Sequence, residues 1–160
     1  MTDALYLTLT DAAVTDALGA RMADALDAGM VIYLHGELGA GKTAFTRALL
    51  TALGAGERIK SPTYSLVESY DLPDGRRAWH LDLYRIADPG ELEWLGLESL
   101  AEASALVLVE WPERGAGALP PADVVVQLDY QGAGRNIELR AQSARARAWL
   151  SRVPGEAAIS

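Results

Sequence analysis

The sequence predicts a three-layer α/β fold built on a mixed sheet, with parallel strands at its centre and antiparallel hairpins beside them. Three observations predict it. Two nearly unbroken apolar runs, residues 30–34 and 105–109, have the length and composition of strands buried on both faces of a parallel sheet. Segments with helical periodicity, about residues 11–27 and 44–53, flank the first run. Two turn signals, Pro73-Asp74-Gly75 and Gln131-Gly132-Ala133-Gly134, each join a pair of short strand-like runs, as hairpins do.

The elements follow in order. Leu5-Tyr6-Leu7-Thr8-Leu9 alternates apolar with polar or aromatic residues and reads as a strand. Thr10 or Asp11 can cap the next helix, whose apolar face is Ala13, Val14, Ala17, Leu18, Met22, Ala25 and Leu26, and Gly29 ends it. The strand at 30–34 runs into Gly36-Glu37-Leu38-Gly39-Ala40-Gly41-Lys42-Thr43, and a helix continues from Ala44 until Gly54-Ala55-Gly56 stops it. Ser61-Pro62-Thr63-Tyr64-Ser65 is a loop, and residues 65–71 and 77–85 are the strands of the first hairpin. Residues 91–100 are expected to be helical. The strand at 105–109 leads into Glu110-Trp111-Pro112, and Pro120-Pro121 is a linker. Residues 124–130 and 136–140 form the second hairpin, and 143–153 the last helix. Residues 1–153 are expected to make one domain, with 154–160 a flexible tail.

The bulk numbers agree. The 160 residues suit one domain, and a chain that is 50% hydrophobic and 22% charged has globular composition. With no cysteine, disulfides and thiolate metal sites are excluded. Neither a signal peptide after Met1-Thr2-Asp3-Ala4 nor an apolar window of about 18 residues is visible, so a soluble cytoplasmic protein is expected. Fourteen basic against 22 acidic residues give a net charge of -8. An acidic surface repels phosphate backbones, which argues against broad direct binding of DNA or RNA.

Residues 36–43 match G-x-x-x-x-G-K-[ST], a phosphate-binding P-loop, and they follow a strand and open a helix as such a loop must. Glycines let consecutive backbone N–H groups turn inward onto phosphate oxygens, and the helix N-terminus adds partial positive charge. Glu37, Leu38, Gly39, Ala40 and Gly41 would supply the cradle. Lys42 would reach the β- and γ-phosphates of a nucleoside triphosphate, and the Thr43 hydroxyl would ligate Mg²⁺.

Such a metal usually needs a carboxylate at the end of a neighbouring buried strand. Glu110 directly follows an apolar strand, where a charge is costly unless it lies at the ligand-binding edge, so it is assigned to Mg²⁺. In residues 79–84, alternation places Trp79, Leu81 and Leu83 on one face and His80, Asp82 and Tyr84 on the other. Asp82 could orient or deprotonate an attacking water. Thr63 could sense the γ-phosphate and Mg²⁺ as switch threonines do. His80 reads as a hydrogen-bonded histidine rather than a proton shuttle, Trp94 and Trp111 as packing residues, and Arg145, Arg147 and Arg152 as a solvated helix face.

Four ordered blocks resemble the TsaE (YjeE) ATPases of bacterial tRNA threonylcarbamoyladenosine biosynthesis. They are residues 34–43, Ser61-Pro62-Thr63-Tyr64-Ser65, His80-Leu81-Asp82-Leu83-Tyr84-Arg85 and Val109-Glu110-Trp111-Pro112-Glu113. The resemblance implies an Mg²⁺-dependent ATPase with a P-loop NTPase-like fold, slow alone, that joins a TsaB–TsaD partner complex and meets tRNA only through it. It implies phosphate and Mg²⁺ binding by Lys42 and Thr43, a switch role for Thr63, acid–base work by Asp82 and an Mg²⁺ carboxylate in Glu110, and it gives Trp111 a role beyond packing. The main alternative is a small-molecule P-loop kinase, which needs an arginine-bearing lid. Arg76 and Arg77 sit in a hairpin, and Arg114 precedes a loop too short for a good lid. No Asn-Lys-x-Asp segment supports guanine recognition.

Overall fold

The computed structural model describes residues 3–26, 29–37, 41–55, 67–95, 100, 102, 104–131 and 134–153. The strands are β1 (Ala4–Leu9), β2 (Met30–Gly36), β3 (Val67–Asp71), β4 (Arg77–Asp82), β5 (Leu106–Glu110), β6 (Val124–Gln131) and β7 (Gly134–Ala141). The helices are α1 (Ala12–Ala25), α2 (Lys42–Ala52) and α3 (Ala144–Arg152), with 3₁₀ segments at Pro89–Leu95 and Pro112–Gly115. One sheet has the order β1-β7-β6-β2-β5-β4-β3. Its central strands β6, β2, β5 and β4 are parallel, while β3 on one side and β7 then β1 on the other pair antiparallel. This is the expected mixed α/β sheet. Among the described residues no helix is long and apolar enough to cross a membrane.

Strand alternation divides the core in two. Ile32, Leu34 and Leu108 face α1, α2 and α3, packing with Leu18, Met22, Phe45, Leu49 and Trp149. Val31, Val107 and Val109 face the opposite side with Leu81, Leu83, Ile86 and Leu92. The central strands are therefore buried on both faces, which is why their sequences are apolar without alternation.

Several boundaries differ from expectation for local reasons. The strand expected over 77–85 stops at Asp82, because the Asp82 carboxylate accepts the backbone N–H of Tyr84 at 3.1 Å and turns the chain. Tyr84 therefore does not continue the His80–Asp82 row. The helix expected at 91–100 is a 3₁₀ segment over Pro89–Leu95, and 96–99 lie outside the described residues. Pro89 and Gly90 are poor helix formers. Asp88 and Glu91 bond the backbone locally instead: Glu91 accepts from Ala87 and Asp88 N–H at 2.9 and 3.0 Å, and Asp88 from Gly90 N–H at 2.9 Å. Helix α1 is capped by Asp11, which accepts Val14 N–H at 3.0 Å, and it gives way to extended backbone at Leu26, ahead of Gly29.

The arginines of α3 are not a purely solvated face. Arg145 donates to Asp123 at 2.7 Å, and Arg152 reaches the Ala25 carbonyl at 3.1 Å. The Asp123 carboxylate also accepts Val31 N–H at 2.9 Å. Burial pushes its pKa up, but the hydrogen bonds from Arg145, Ser143 and Val31 outweigh that and hold it below the usual carboxylate value. Trp149 is fully buried and donates its indole N–H to the Met22 carbonyl at 3.1 Å. Together these contacts staple α3 to β2 and α1.

Helices α1 and α2 approach closely at Gly19. A Cβ there would lie 2.9 Å from both the carbonyl carbon and the Cβ of Ala48. Gly19→Val is accordingly expected to force the helices apart and to cost about 1–3 kcal/mol by overpacking. Urea denaturation should show a lower midpoint at unchanged slope.

Candidate functional site

The parallel strands β2, β5 and β4 end side by side, and their C-terminal edge carries the functional side chains. In the parallel register Leu34 sits opposite Glu110, and Glu110 opposite Asp82. Ala78, His80 and Asp82 alternate toward the face covered by α2, as do Leu106, Leu108 and Glu110 on β5. Helix α2 begins beside this row, where Thr43 meets Glu110. Gly41 occupies the N-cap of α2 at φ 105°, a left-handed conformation that favours glycine. No side chain caps α2, so no cap side chain occupies the amides of its first turn, which can face an anion. Leu38, Gly39, Ala40 and Thr63 lie outside the described residues.

Lys42 is only 4% exposed. Its ammonium donates to the carbonyls of Gly36 at 2.6 Å and Glu37 at 3.0 Å, bridging the start of the loop. Its Nζ also lies 4.3 Å from the centroid of the Trp111 ring. Burial pushes the lysine pKa down, and the carboxylates of Glu110, Asp82 and Glu113 oppose that shift. Trp111 is held at φ 59°, an uncommon left-handed conformation for a bulky residue, as the chain turns from β5 into Pro112–Gly115. That turn sets the indole against Lys42 and 5.1 Å from the ring of Tyr84, which is 41% exposed. Trp111 thus packs against the lysine singled out from the sequence.

Glu110 is the last residue of β5 rather than the first beyond it, and it is 2% exposed. The Thr43 hydroxyl donates to its carboxylate, with distances of 3.0 and 3.2 Å to the two oxygens. His80, fully buried, places Nε2 2.5 Å from Glu110 Oε2. Asp82 is half-buried beside them. Its pKa is raised, chiefly by burial, with a further rise from Glu110 and opposing effects from the Tyr84 N–H, His80 and Lys42.

The raised Asp82 pKa has a consequence for stability. Below about pH 4, near the pKa of an unfolded aspartate, the group is neutral in both states and costs nothing. As pH rises through the folded pKa, that part of the stability is lost, because the unfolded chain ionises more readily. Asp82→Asn keeps the oxygen that accepts Tyr84 N–H and stays neutral. It should therefore raise the urea midpoint at pH 7 and give a smaller gain near pH 4. An equal gain at both pH values would refute the electrostatic cause.

Mg²⁺ keeps several waters and takes one or two protein ligands plus substrate phosphates. Among the described residues no group of three or more His, Cys, Asp or Glu is arranged to hold a metal unaided. A hydroxyl and a buried carboxylate in mutual contact, near the buried ammonium of Lys42, are donor types that a cation delivered with a nucleotide would take. Of the residues singled out from sequence, Lys42, Thr43, Asp82 and Glu110 converge here. The contacts missed were His80 on Glu110 and the indole of Trp111 on Lys42. The first was signalled by His80 lying two residues before Asp82 on one strand face. The second depends on the left-handed turn at Trp111, which no sequence pattern indicated.

The family model described as "Threonylcarbamoyl adenosine biosynthesis protein TsaE" matches residues 9–137. A Haemophilus influenzae protein described as tRNA threonylcarbamoyladenosine biosynthesis protein TsaE is 48% identical over 114 residues, covering 71% of this chain and 72% of that one. A protein of the same description from Borreliella burgdorferi is 36% identical over 117 residues, covering 71% and 83%. The crystal structure of YdiB from Bacillus subtilis shares the fold with a TM-score of 0.75 at 26% identity, covering 96% of this chain and 95% of that one.

Proposed function

Because the chain belongs to the TsaE family of tRNA threonylcarbamoyladenosine biosynthesis, we propose that it binds ATP with Mg²⁺ at residues 36–43 and hydrolyses it to serve that modification, in the cytoplasm, as a partner of TsaB and TsaD. The observation that carries the reading is the contact of Thr43 with Glu110 at 3.0 Å beside the buried ammonium of Lys42.

The proposed division of labour is supported by the contacts at the strand edge. The amides of residues 37–43 and the N-terminus of α2 bind the phosphates. Lys42 leaves the Gly36 and Glu37 carbonyls for phosphate oxygens, which compensate its burial better than neutral acceptors do. Thr43 and Glu110 would hold Mg²⁺, which neutralises charge developing on the phosphates. Asp82, with its raised pKa, stands at the same strand edge as the group that orients the attacking water and accepts its proton. Thr63 would complete the site as the switch residue. The acidic surface suits a protein that docks on other proteins and leaves the tRNA to them.

The test is ATP turnover by the purified chain. Slow, Mg²⁺-dependent release of inorganic phosphate that rises on adding the TsaB–TsaD complex is expected. Transfer of the phosphate to a small metabolite, or indifference to that complex, would overturn the reading.

A further inference from the structure

The phosphate chemistry leaves the role of His80 open. It is fully buried, in a β4 position opposite Leu108, where an apolar side chain would pack without any polar cost. Its Nδ1 is buried and, among the described residues, has no hydrogen-bond partner. Its other nitrogen lies 2.5 Å from Glu110 Oε2. With Glu110 as the carboxylate that a metal would need, a lone pair on Nε2 facing its oxygen would be repulsive, so the contact is read as Nε2–H donating to Glu110. The whole polar capacity of this imidazole is therefore directed at one carboxylate. A buried nitrogen left unpaired costs free energy, so the residue is poorly explained as packing.

Among the described residues Glu110 has two donors, Thr43 and His80. On the nucleotide-hydrolysis reading, on which this inference rests, the Thr43 oxygen would also serve the cation, so its contact with Glu110 would shift with the nucleotide. Among the described residues, His80 is then the donor to Glu110 that has no second duty toward the cation. We propose that His80 is a positioning residue that holds Glu110 in its metal-facing orientation throughout the nucleotide cycle, through a permanent Nε2–H to Oε2 hydrogen bond. Groups that orient a metal ligand in this way typically change metal affinity or activity by about 10- to 100-fold when removed.

Two measurements test this. In the protein free of nucleotide and metal, long-range ¹H–¹⁵N NMR should show His80 as the Nε2–H tautomer, with a slowly exchanging proton whose shift moves in Glu110→Gln. An Nδ1–H tautomer would overturn the inference whether or not the chain hydrolyses ATP. Second, His80→Phe should raise the Mg²⁺ concentration for half-maximal hydrolysis by about 10-fold or more. Its affinity for a fluorescent ADP analogue in EDTA should stay within about twofold, and His80→Gln, which keeps an N–H donor, should recover much of the Mg²⁺ response. Equal loss of metal-free nucleotide affinity in His80→Phe, or no rescue by His80→Gln, would reduce His80 to packing. If His80→Phe does not fold, His80→Gln against wild type decides, since a donor-retaining variant with an unchanged NMR shift at Glu110 supports the hydrogen bond and a lost one contradicts it. Absence of any hydrolysis by wild type beside the expected NMR signal would fault the proposed function and leave the hydrogen bond standing.

Discussion

Lys42→Ala is expected to weaken nucleotide binding by at least about 100-fold, read by titration with a fluorescent ADP or ATP analogue. Charge-assisted hydrogen bonds contribute about 1.5–3 kcal/mol each, and two lost from phosphate oxygens exceed the roughly 2.7 kcal/mol that corresponds to 100-fold. The same change removes the strut from Nζ to the Gly36 and Glu37 carbonyls. The loop then loses its internal brace as well as its cation. Measured folding stability should fall far less than affinity, because the cost of burying the ammonium disappears with it. An affinity within a few-fold of wild type would mean that the lysine brace is structural and that the phosphates sit elsewhere.

Glu110→Gln is the second large effect. Removing the negative charge takes away the carboxylate that would face Mg²⁺, so hydrolysis should drop by about 10²–10³, comparable with the loss of one preorganised electrostatic group in an enzyme site. Nucleotide affinity in EDTA should change little, because no contact from Glu110 to the phosphates is required. Glutamine keeps one acceptor for Thr43 or His80, so the fold should survive. Glu110→Ala strands the buried His80 donor and should lower stability by about 1–3 kcal/mol, while the part-buried Thr43 hydroxyl can turn to water. Comparing the two variants separates the charge from the hydrogen bonds. Undiminished Mg²⁺-dependent hydrolysis in Glu110→Gln would refute the metal assignment.

Much of this was legible in the sequence because it depended on local rules. The apolar runs around Ile32 and Leu108 could only be strands buried on both faces, and the β2–α2 junction at Gly41 needed a residue that tolerates φ 105°. Lys42 and Thr43 were legible from the G-x-x-x-x-G-K-[ST] pattern, Glu110 from a charge at the end of an apolar strand, and Asp82 from alternation along its strand. What the sequence hid was decided by side chains bonding the backbone. Asp82 ends its own strand by capping Tyr84, and Asp88 and Glu91 convert an expected helix into a 3₁₀ turn. His80 was expected to be hydrogen-bonded, but its partner was not legible. Its pairing with Glu110 depends on a diagonal contact between neighbouring strands, which is fixed by register and not by spacing along the chain.

The most direct test is a crystal structure with a non-hydrolysable ATP analogue and Mn²⁺, with the metal located by anomalous scattering. A cation about 2.1 Å from Thr43 Oγ1 is expected. Glu110, still bonded to His80, should be the nearest carboxylate to that cation, either directly or through one water, with Asp82 farther away beside the γ-phosphate. A cation bound to Asp82, with Glu110 still accepting the Thr43 hydroxyl, would contradict it.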